Sequence, residues 1–407
     1  MAELSGAQII AKSLKTQGVD HMFGVVGVPV IPIAIEAQKE DINYVGVRHE
    51  QAAAFAAQAV SYINGRISAA LVVSGPGMTN AISALGNAEA NCWPMILLGG
   101  ASNLALANRG DFQVAPQVEA ARPFVKYSAQ CNDPRTIPIF IATAVREAIS
   151  GRPGPVYVDL PGDVIDGKVD EEEVQWEPRV ADPHRSKVAE EDISSALEAL
   201  KSASNPLIIV GKGAAWAQAE DQVREFIDKT QIPFIPTPMG KGVVPDDHPL
   251  NMSAARTNAL RQCDVVFTIG ARFNWILHFG KAPRYREDVR VIQLDNVAEE
   301  IGSNVPAAVG LMGDGRAVMT QINAALEAEQ VFVLQVAIDP RDRIRVDAEL
   351  DGQGTHRRHR VTDSQDSPLE KQVDLLAKLD VDGDAAVLVD VDRELHRGQC
   401  TNNQITS

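Results

Sequence analysis

Val47-Arg48-His49-Glu50-Gln51-Ala52-Ala53 is the stretch that decides the fold. Tyr44-Val45-Gly46-Val47 is an apolar run that predicts a strand, Glu50 stands at its carboxyl end, and an Ala-rich helix over Gln51 to Tyr62 follows at once. The pattern then repeats. Ser68 to Val73 is a continuous apolar run, as in a strand buried on both faces, and it enters Ser74-Gly75-Pro76-Gly77 and a helix over Thr79 to Ala90. Strand, turn and helix in this order imply an α/β fold with a mostly parallel sheet covered by helices. Such sheets bind ligands outside the carboxyl ends of their strands, which makes Glu50 and the glycine turn candidates for one site.

Working outward, Ala7 to Gln17 has apolar residues at helical spacing and Gly18 suits its C-terminal cap. His21 to Val26, Ile42 to Val47, Pro94 to Leu98 and Val156 to Leu160 read as strands, and Thr136 to Ser150 as a helix. A second α/β series follows. It has helices over Ile193 to Ala203, Gln218 to Lys229 and Ala317 to Glu327, and strands over Pro206 to Val210, Asp264 to Ile269 and Val289 to Leu294. The expected organisation is two doubly wound parallel-sheet domains, 1–165 and 189–329, joined by an acidic linker, 166–188, that is poor in apolar residues. Beyond Gln330 the composition changes, and Phe332 is the last aromatic residue. The segment 330–407 is expected to be a weakly structured tail, with Leu369 to Leu379 as a possible short helix.

Composition narrows the function classes. The formal net charge of -16 argues against nucleic acid or an anionic membrane as partner. Cys92, Cys131, Cys263 and Cys400 show no Cys-x-x-Cys spacing and read as reduced intracellular thiols, with no zinc site or disulfide framework. Met1-Ala2-Glu3-Leu4 lacks the basic flank and apolar core of a signal peptide, and no apolar run approaches the ~20 residues of a membrane span.

Four segments together carry a resemblance. Gly24-Val25-Val26-Gly27-Val28-Pro29, Arg48-His49-Glu50-Gln51-Ala52-Ala53, Val72-Val73-Ser74-Gly75-Pro76-Gly77 and Asn91-Cys92-Trp93-Pro94 are similar to the N-terminal domain of the 2-hydroxyacyl-CoA lyases, thiamine-diphosphate enzymes closely related to the oxalyl-CoA decarboxylases. The likeness continues through Gly151-Arg152-Pro153-Gly154-Pro155-Val156-Tyr157-Val158-Asp159, Gly211-Lys212-Gly213-Ala214-Ala215, Pro236-Thr237-Pro238-Met239-Gly240-Lys241-Gly242 and Gly270-Ala271-Arg272-Phe273-Asn274-Trp275. It covers the chain from Leu4 to about Leu326.

The resemblance implies a first domain that binds the cofactor's pyrimidine. Glu50 would hydrogen-bond N1′ of the aminopyrimidine as the catalytic residue, with Gly27, Gly75, Pro76, Gly77 and Asn80 at the cofactor. It implies cleavage of an acyl-CoA substrate, a 2-hydroxyacyl-CoA, to an aldehyde and formyl-CoA, with the cofactor as electron sink. Phe112-Gln113 matches a pair near the substrate, although Val114 stands where the family has Glu. In the middle domain Lys212, Arg272 and Asp295 would line a pocket for ADP or CoA. Lysine and arginine suit phosphates, and the aspartate would accept from a ribose hydroxyl.

Each residue also has a plainer reading. Glu50 suits a helix N-terminus on dipole grounds alone, Gly-Pro-Gly also simply breaks structure, Phe112 could be a packing residue, and Lys212, Arg272 and Asp295 could be surface salt-bridge partners. Gly211-x-Gly213 is a poor dinucleotide fingerprint, because Trp216 fills its third glycine position. His49, Cys92 and Trp93 read as structural.

Gly313-Asp314-Gly315 resembles the metal motif of thiamine-diphosphate enzymes, but no suitable downstream Asn follows, so it reads as a loop with a helix cap. No metal ligand is expected, and the magnesium of full-length relatives would have no site here. The resulting expectation is a truncated family member that is inactive alone. It would act as a homo-oligomer or with a full-length subunit. The alternatives are an oxalyl-CoA decarboxylase and a non-catalytic nucleotide-binding or dimer-partner fragment. Family location implies the peroxisome. Ile405-Thr406-Ser407 is not a Ser-Lys-Leu-type address, so the cytoplasm is implied unless a partner carries the signal.

Overall fold

In a computed structural model that describes residues 3–328, the alternation of strand and helix becomes two parallel sheets and a short antiparallel pair. The expected tail 330–407, with its helix over Leu369 to Leu379, lies outside the described residues. Among the described residues the strands in chain order are β1 (Glu3–Ser5), β2 (His21–Gly24), β3 (Asn43–Gly46), β4 (Ala69–Val72), β5 (Met95–Ala101), β6 (Tyr127–Gln130), β7 (Pro155–Pro161), β8 (Lys168–Asp170), β9 (Pro206–Val210), β10 (Phe234–Pro236), β11 (Val265–Ile269), β12 (Arg290–Asp295) and β13 (Ala307–Met312).

The first sheet has the order β3-β2-β4-β5-β7-β6, parallel throughout. Side chains alternate between its faces. Leu71, Ile96, Leu98, Val156 and Val158 meet Ile9, Ile10, Leu14 and Ile141 on one face. Ala70, Val72, Leu97 and Tyr157 meet Ala53, Ala57, Met78, Ala81 and Leu85 on the other. The alanines let the helices Glu50–Asn64 and Pro76–Asn91 lie close to each other and to the sheet.

The second sheet has the order β10-β9-β11-β12-β13 and is also parallel. Ile208, Val210, Phe267, Ile292 and Leu294 face one core, and Leu207, Ile209, Val266 and Val291 face the other. In both sheets the first strand is flanked by the second on one side and the third on the other. The switch points therefore fall between β2 and β4 and between β9 and β11, where open sheets leave a ligand crevice.

Several elements differ from the sequence expectation. β3 ends at Gly46, so Glu50 does not end a strand but opens a helix, with His49 as N-cap accepting from Gln51 N–H at 3.2 Å. The helix Ile31–Lys39 begins at an apolar N-cap, Val30, with no side-chain cap bond, which hides its start from sequence. The expected linker 166–188 is laid against the sheets it joins: β8 pairs with β1, Gln17 bonds Pro178 and Val180, and Asp314 N–H donates to the Ser186 carbonyl.

Phe267 is fully buried in β11 and packs edge-on against Phe226 with ring centroids 5.9 Å apart. Phe267→Ala should cost about 3–5 kcal/mol in urea unfolding, because the packed core around the cavity relaxes only partially. Ile63→Ala, at a side chain 78% exposed, should change stability by less than about 0.5 kcal/mol.

Candidate functional site

The first crevice is built where β3 and β4 hand over to their helices. Glu50 is the first residue of its helix and half-buried. Asn80, one turn into the helix Pro76–Asn91, donates from Nδ2 to Glu50 Oε2 at 3.0 Å. Among the described residues nothing donates to Glu50 Oε1. Gly77 lies beside that oxygen: a β-carbon there would come 3.5 Å from Oε1 and 2.5 Å from Val73 Cγ2. Gly27 closes on Val73 from the β2 side, where a β-carbon would meet Cγ1 at 2.9 Å. The result is a carboxylate with one oxygen held and one open, beside a wall stripped of side chain.

Gly75 links this crevice to the next loop. Its φ of 58° is open to glycine without cost, and a β-carbon would meet the Gln113 carbonyl oxygen at 2.8 Å. Pro76 is the first residue of the following helix and is exposed. Gln113 itself is left-handed, φ 52°, and Ser74 Oγ donates to its Oε1 at 3.5 Å. Phe112 is 56% exposed, so it does not pack in a core. The structure thus brings Glu50, Gly75, Gly77, Asn80 and Gln113 to one place.

The second crevice holds Lys212, Gly213, Gly270, Arg272 and Asp295, at the carboxyl ends of β9, β11 and β12. Gly211 and Gly213 serve the approach of two backbone segments, because β-carbons on either would collide with Gly270. The crevice is open to solvent, and its other wall comes from the first domain: Tyr62, Asn91, Cys92 and Arg152. The crevice therefore adds first-domain residues to the Lys212, Arg272 and Asp295 expected from the middle domain.

Lys212 Nζ and Arg272 Nη2 both donate to the Ala90 carbonyl, at 3.3 and 2.9 Å. Two cations thus cap the C-terminal end of the helix Pro76–Asn91, where the helix dipole favours positive charge. Arg152 pairs with Glu300 at 2.7 Å, Asn296 donates to the Gly151 carbonyl at 2.9 Å, and Tyr62 stacks on Trp216. Burial lowers the Lys212 ammonium from its usual range, and Arg272 and Arg152 push the same way while Cys92 opposes. Burial raises the Asp295 carboxyl to about 6, against the Val297 N–H bond and the charges of Arg152 and Arg272.

Arg152 and Cys92 escaped the sequence reading as pocket residues. Both sit in tight turns, after a left-handed Gly151 and at a left-handed helix cap, and only tertiary packing aims them at Lys212. Asp314 caps the final helix, accepting from Ala317 N–H at 3.0 Å, and also pairs with Arg185. No cluster of His, Cys, Asp and Glu suited to a metal occurs among the described residues.

Comparison with known proteins gives the family. The N-terminal TPP binding domain of thiamine pyrophosphate enzymes matches residues 4–120, and the central domain of the same enzymes matches residues 193–322. The chain belongs to the thiamine pyrophosphate enzymes. Within them it is 46% identical over 325 residues to human 2-hydroxyacyl-CoA lyase 1, covering 80% of the chain and 56% of that relative. It is 41% identical over 330 residues to the Arabidopsis thaliana 2-hydroxyacyl-CoA lyase, covering 80% of the chain and 57% of the relative. The oxalyl-CoA decarboxylase of Escherichia coli K12 is 42% identical over 313 residues, 76% of the chain and 55% of the relative. The chain therefore spans little more than half the length of these relatives. No helix among the described residues is long and apolar enough to cross a membrane.

The Asp295 carboxyl provides a pH test. Its folded-state pKa is raised from 3.8 to about 6, so the fold favours the protonated form. That contribution is fully present below 3.8 and is lost as pH rises through about 6. Asp295→Asn should therefore gain stability relative to the parent across that interval, by up to about 3 kcal/mol at 1.36 kcal/mol per unit. Denaturation of both proteins at a series of pH values checks it, and a pH-independent difference would contradict it.

Proposed function

We propose that this chain supplies the pyrimidine-binding half of a thiamine-diphosphate site in an enzyme that cleaves 2-hydroxyacyl-CoA to an aldehyde and formyl-CoA. The observation that carries the reading is the half-satisfied Glu50 carboxylate, with Oε2 held by Asn80 and Oε1 facing the space beside Gly77. A flat aminopyrimidine needs clearance on one face and an acceptor in its plane, and Gly77 and Glu50 offer these. Glu50 would hold a proton at the ring nitrogen N1′, Asn80 would fix the carboxylate's rotation, and Gly27 and Gly75 to Gly77 would shape the cradle. Thiamine diphosphate, when bound, supplies the electron sink for carbon–carbon cleavage. Gln113 and Phe112 stand on the loop against Gly75, where a thioester substrate would approach.

Magnesium and the diphosphate would be held by a region that supplies the other half of the site, since Asp314 is engaged as a helix cap. By family resemblance the assembly belongs in the peroxisome. The oxalyl-CoA decarboxylase relative supports a second reading of the substrate, and product analysis separates the two. Calorimetric titration with thiamine diphosphate should show Glu50→Gln binding about 10–100-fold more weakly, as expected for loss of a charged hydrogen bond. In an assembly with a subunit that provides the diphosphate half, formyl-CoA formation should fall by about 10²–10⁴ in the same variant. Unchanged binding and turnover would remove Glu50 from the site.

The second crevice is proposed to take ADP or the ADP portion of CoA, with phosphates toward Lys212 and Arg272 and a ribose hydroxyl on Asp295. The support is three cations facing one crevice beside a half-buried carboxylate partner, Glu300. Calorimetry should show that Arg272→Glu weakens ADP binding, more so at low salt, whereas Glu50→Lys leaves it unchanged. Equal loss in both variants, or no ADP binding by the parent, would refute the assignment.

A further inference from the structure

Beneath the glycine turn lies a buried polar network that the cofactor reading does not use. Gln117 opens the short helix Gln117–Ala121 and is 3% exposed. Its Oε1 accepts from Gly75 N–H at 2.5 Å. Its Nε2 lies 2.9 Å from the Gly100 carbonyl and 2.6 Å from Asp159 Oδ1, with the Tyr157 hydroxyl 3.2 Å away. Asp159, near the end of β7, is 2% exposed. Tyr157 donates its hydroxyl proton to Oδ1, and Gln130 Nε2 donates to Oδ2 at 2.6 Å. Gly99 must be glycine here, since a β-carbon would collide with the Tyr157 hydroxyl.

A carboxylate buried without a cation is costly unless its lone pairs are met. Burial raises the Asp159 carboxyl, Tyr157, Gln130 and Gln117 lower it, and Glu119 adds to the rise. The arrangement determines which way the Gln117 amide points. Reversed, its NH₂ would oppose the Gly75 N–H, and its oxygen would oppose Asp159 and the Gly100 carbonyl. Donor and acceptor inventories allow only one orientation. Asp159 thus directs an acceptor at the Gly75 N–H.

We infer that Gln117, directed by Asp159, is a positioning residue of the Glu50 crevice. It holds Gly75 in its left-handed conformation, and through the turn it places Gly77 beside Glu50 Oε1 and Asn80 on Glu50 Oε2. The inference rests on the cofactor reading only for the ligand that the crevice serves. The geometric coupling from Gln117 to Glu50 is independent of any ligand.

The test is nuclear magnetic resonance on the full chain, reading the amide signals of Gly75 and Gly77 and the side-chain NH₂ of Asn80. Gln117→Leu removes the acceptor, and Gln117→Glu puts a second carboxylate against Asp159. Both should displace all three signals at neutral pH. Adding Asp159→Asn to Gln117→Glu removes the carboxylate pair and restores a donor facing an acceptor, leaving only the Gly100 carbonyl without its donor, and should return all three toward their parent positions. Should Gln117→Leu fail to fold, Gln117→Glu against the double variant makes the same comparison, with second-sheet signals as the folding control. Displacement of Gly75 alone, with Gly77 and Asn80 unmoved, would reduce Gln117 to a structural residue and overturn the inference. So would a double variant that folds without restoring the signals. Adding thiamine diphosphate to the parent tests the cofactor reading separately: no response there would sink that reading and leave the coupling standing.

Discussion

The constraint on which the first crevice depends is the absence of room for β-carbons in the turn between β4 and its helix. At Gly75 a side chain would strike the backbone of Gln113, and at Gly77 it would strike Val73 and crowd Glu50. Close backbone approach is what glycine permits and every other residue forbids. With that approach made, a helix N-terminus, a carboxylate and an amide arrive from three separate segments at hydrogen-bonding range. The chemistry then follows from placement. Glu50 has one oxygen committed to Asn80, and the other is open beside Gly77.

The second sheet repeats the geometry with different side chains. Its glycines, Gly211, Gly213 and Gly270, bring the ends of β9 and β11 together at a switch point, as the glycines of the first sheet do at theirs. Cations replace the carboxylate, and they reach across to the Ala90 carbonyl at the far end of the helix whose first turn carries Gly77 and Asn80. One helix therefore touches both crevices. Its N-terminal end serves the anionic side chain Glu50 through Asn80, and its C-terminal end is capped by Lys212 and Arg272, each in keeping with the dipole.

The long buried strands and their following helices were legible because parallel strands buried on both faces are continuous apolar runs, as in Ser68 to Val73 and Pro206 to Val210. The Glu50 crevice was legible because Glu50 and the glycine turn each closely follow an apolar run, Tyr44 to Val47 and Ser68 to Val73. What was not legible lacks a periodic signal. β6 and β13 each edge a sheet and carry few fully buried residues, and the helix Ile31–Lys39 has no polar cap. Arg152 and Cys92 act across a domain seam, which no local pattern records. Gln117 is a polar residue buried by tertiary hydrogen bonds, which the local sequence does not record.

The central claim is that the two switch points are two distinct ligand sites. The most direct measurement is to titrate one isotope-labelled sample of the full chain with thiamine diphosphate and then with ADP. The account predicts that the first ligand moves the signals of Gly75, Gly77 and Asn80, and that the second moves those of Gly213, Gly270 and Asn296. Both ligands perturbing a single set, or thiamine diphosphate leaving the first set unmoved, would contradict it.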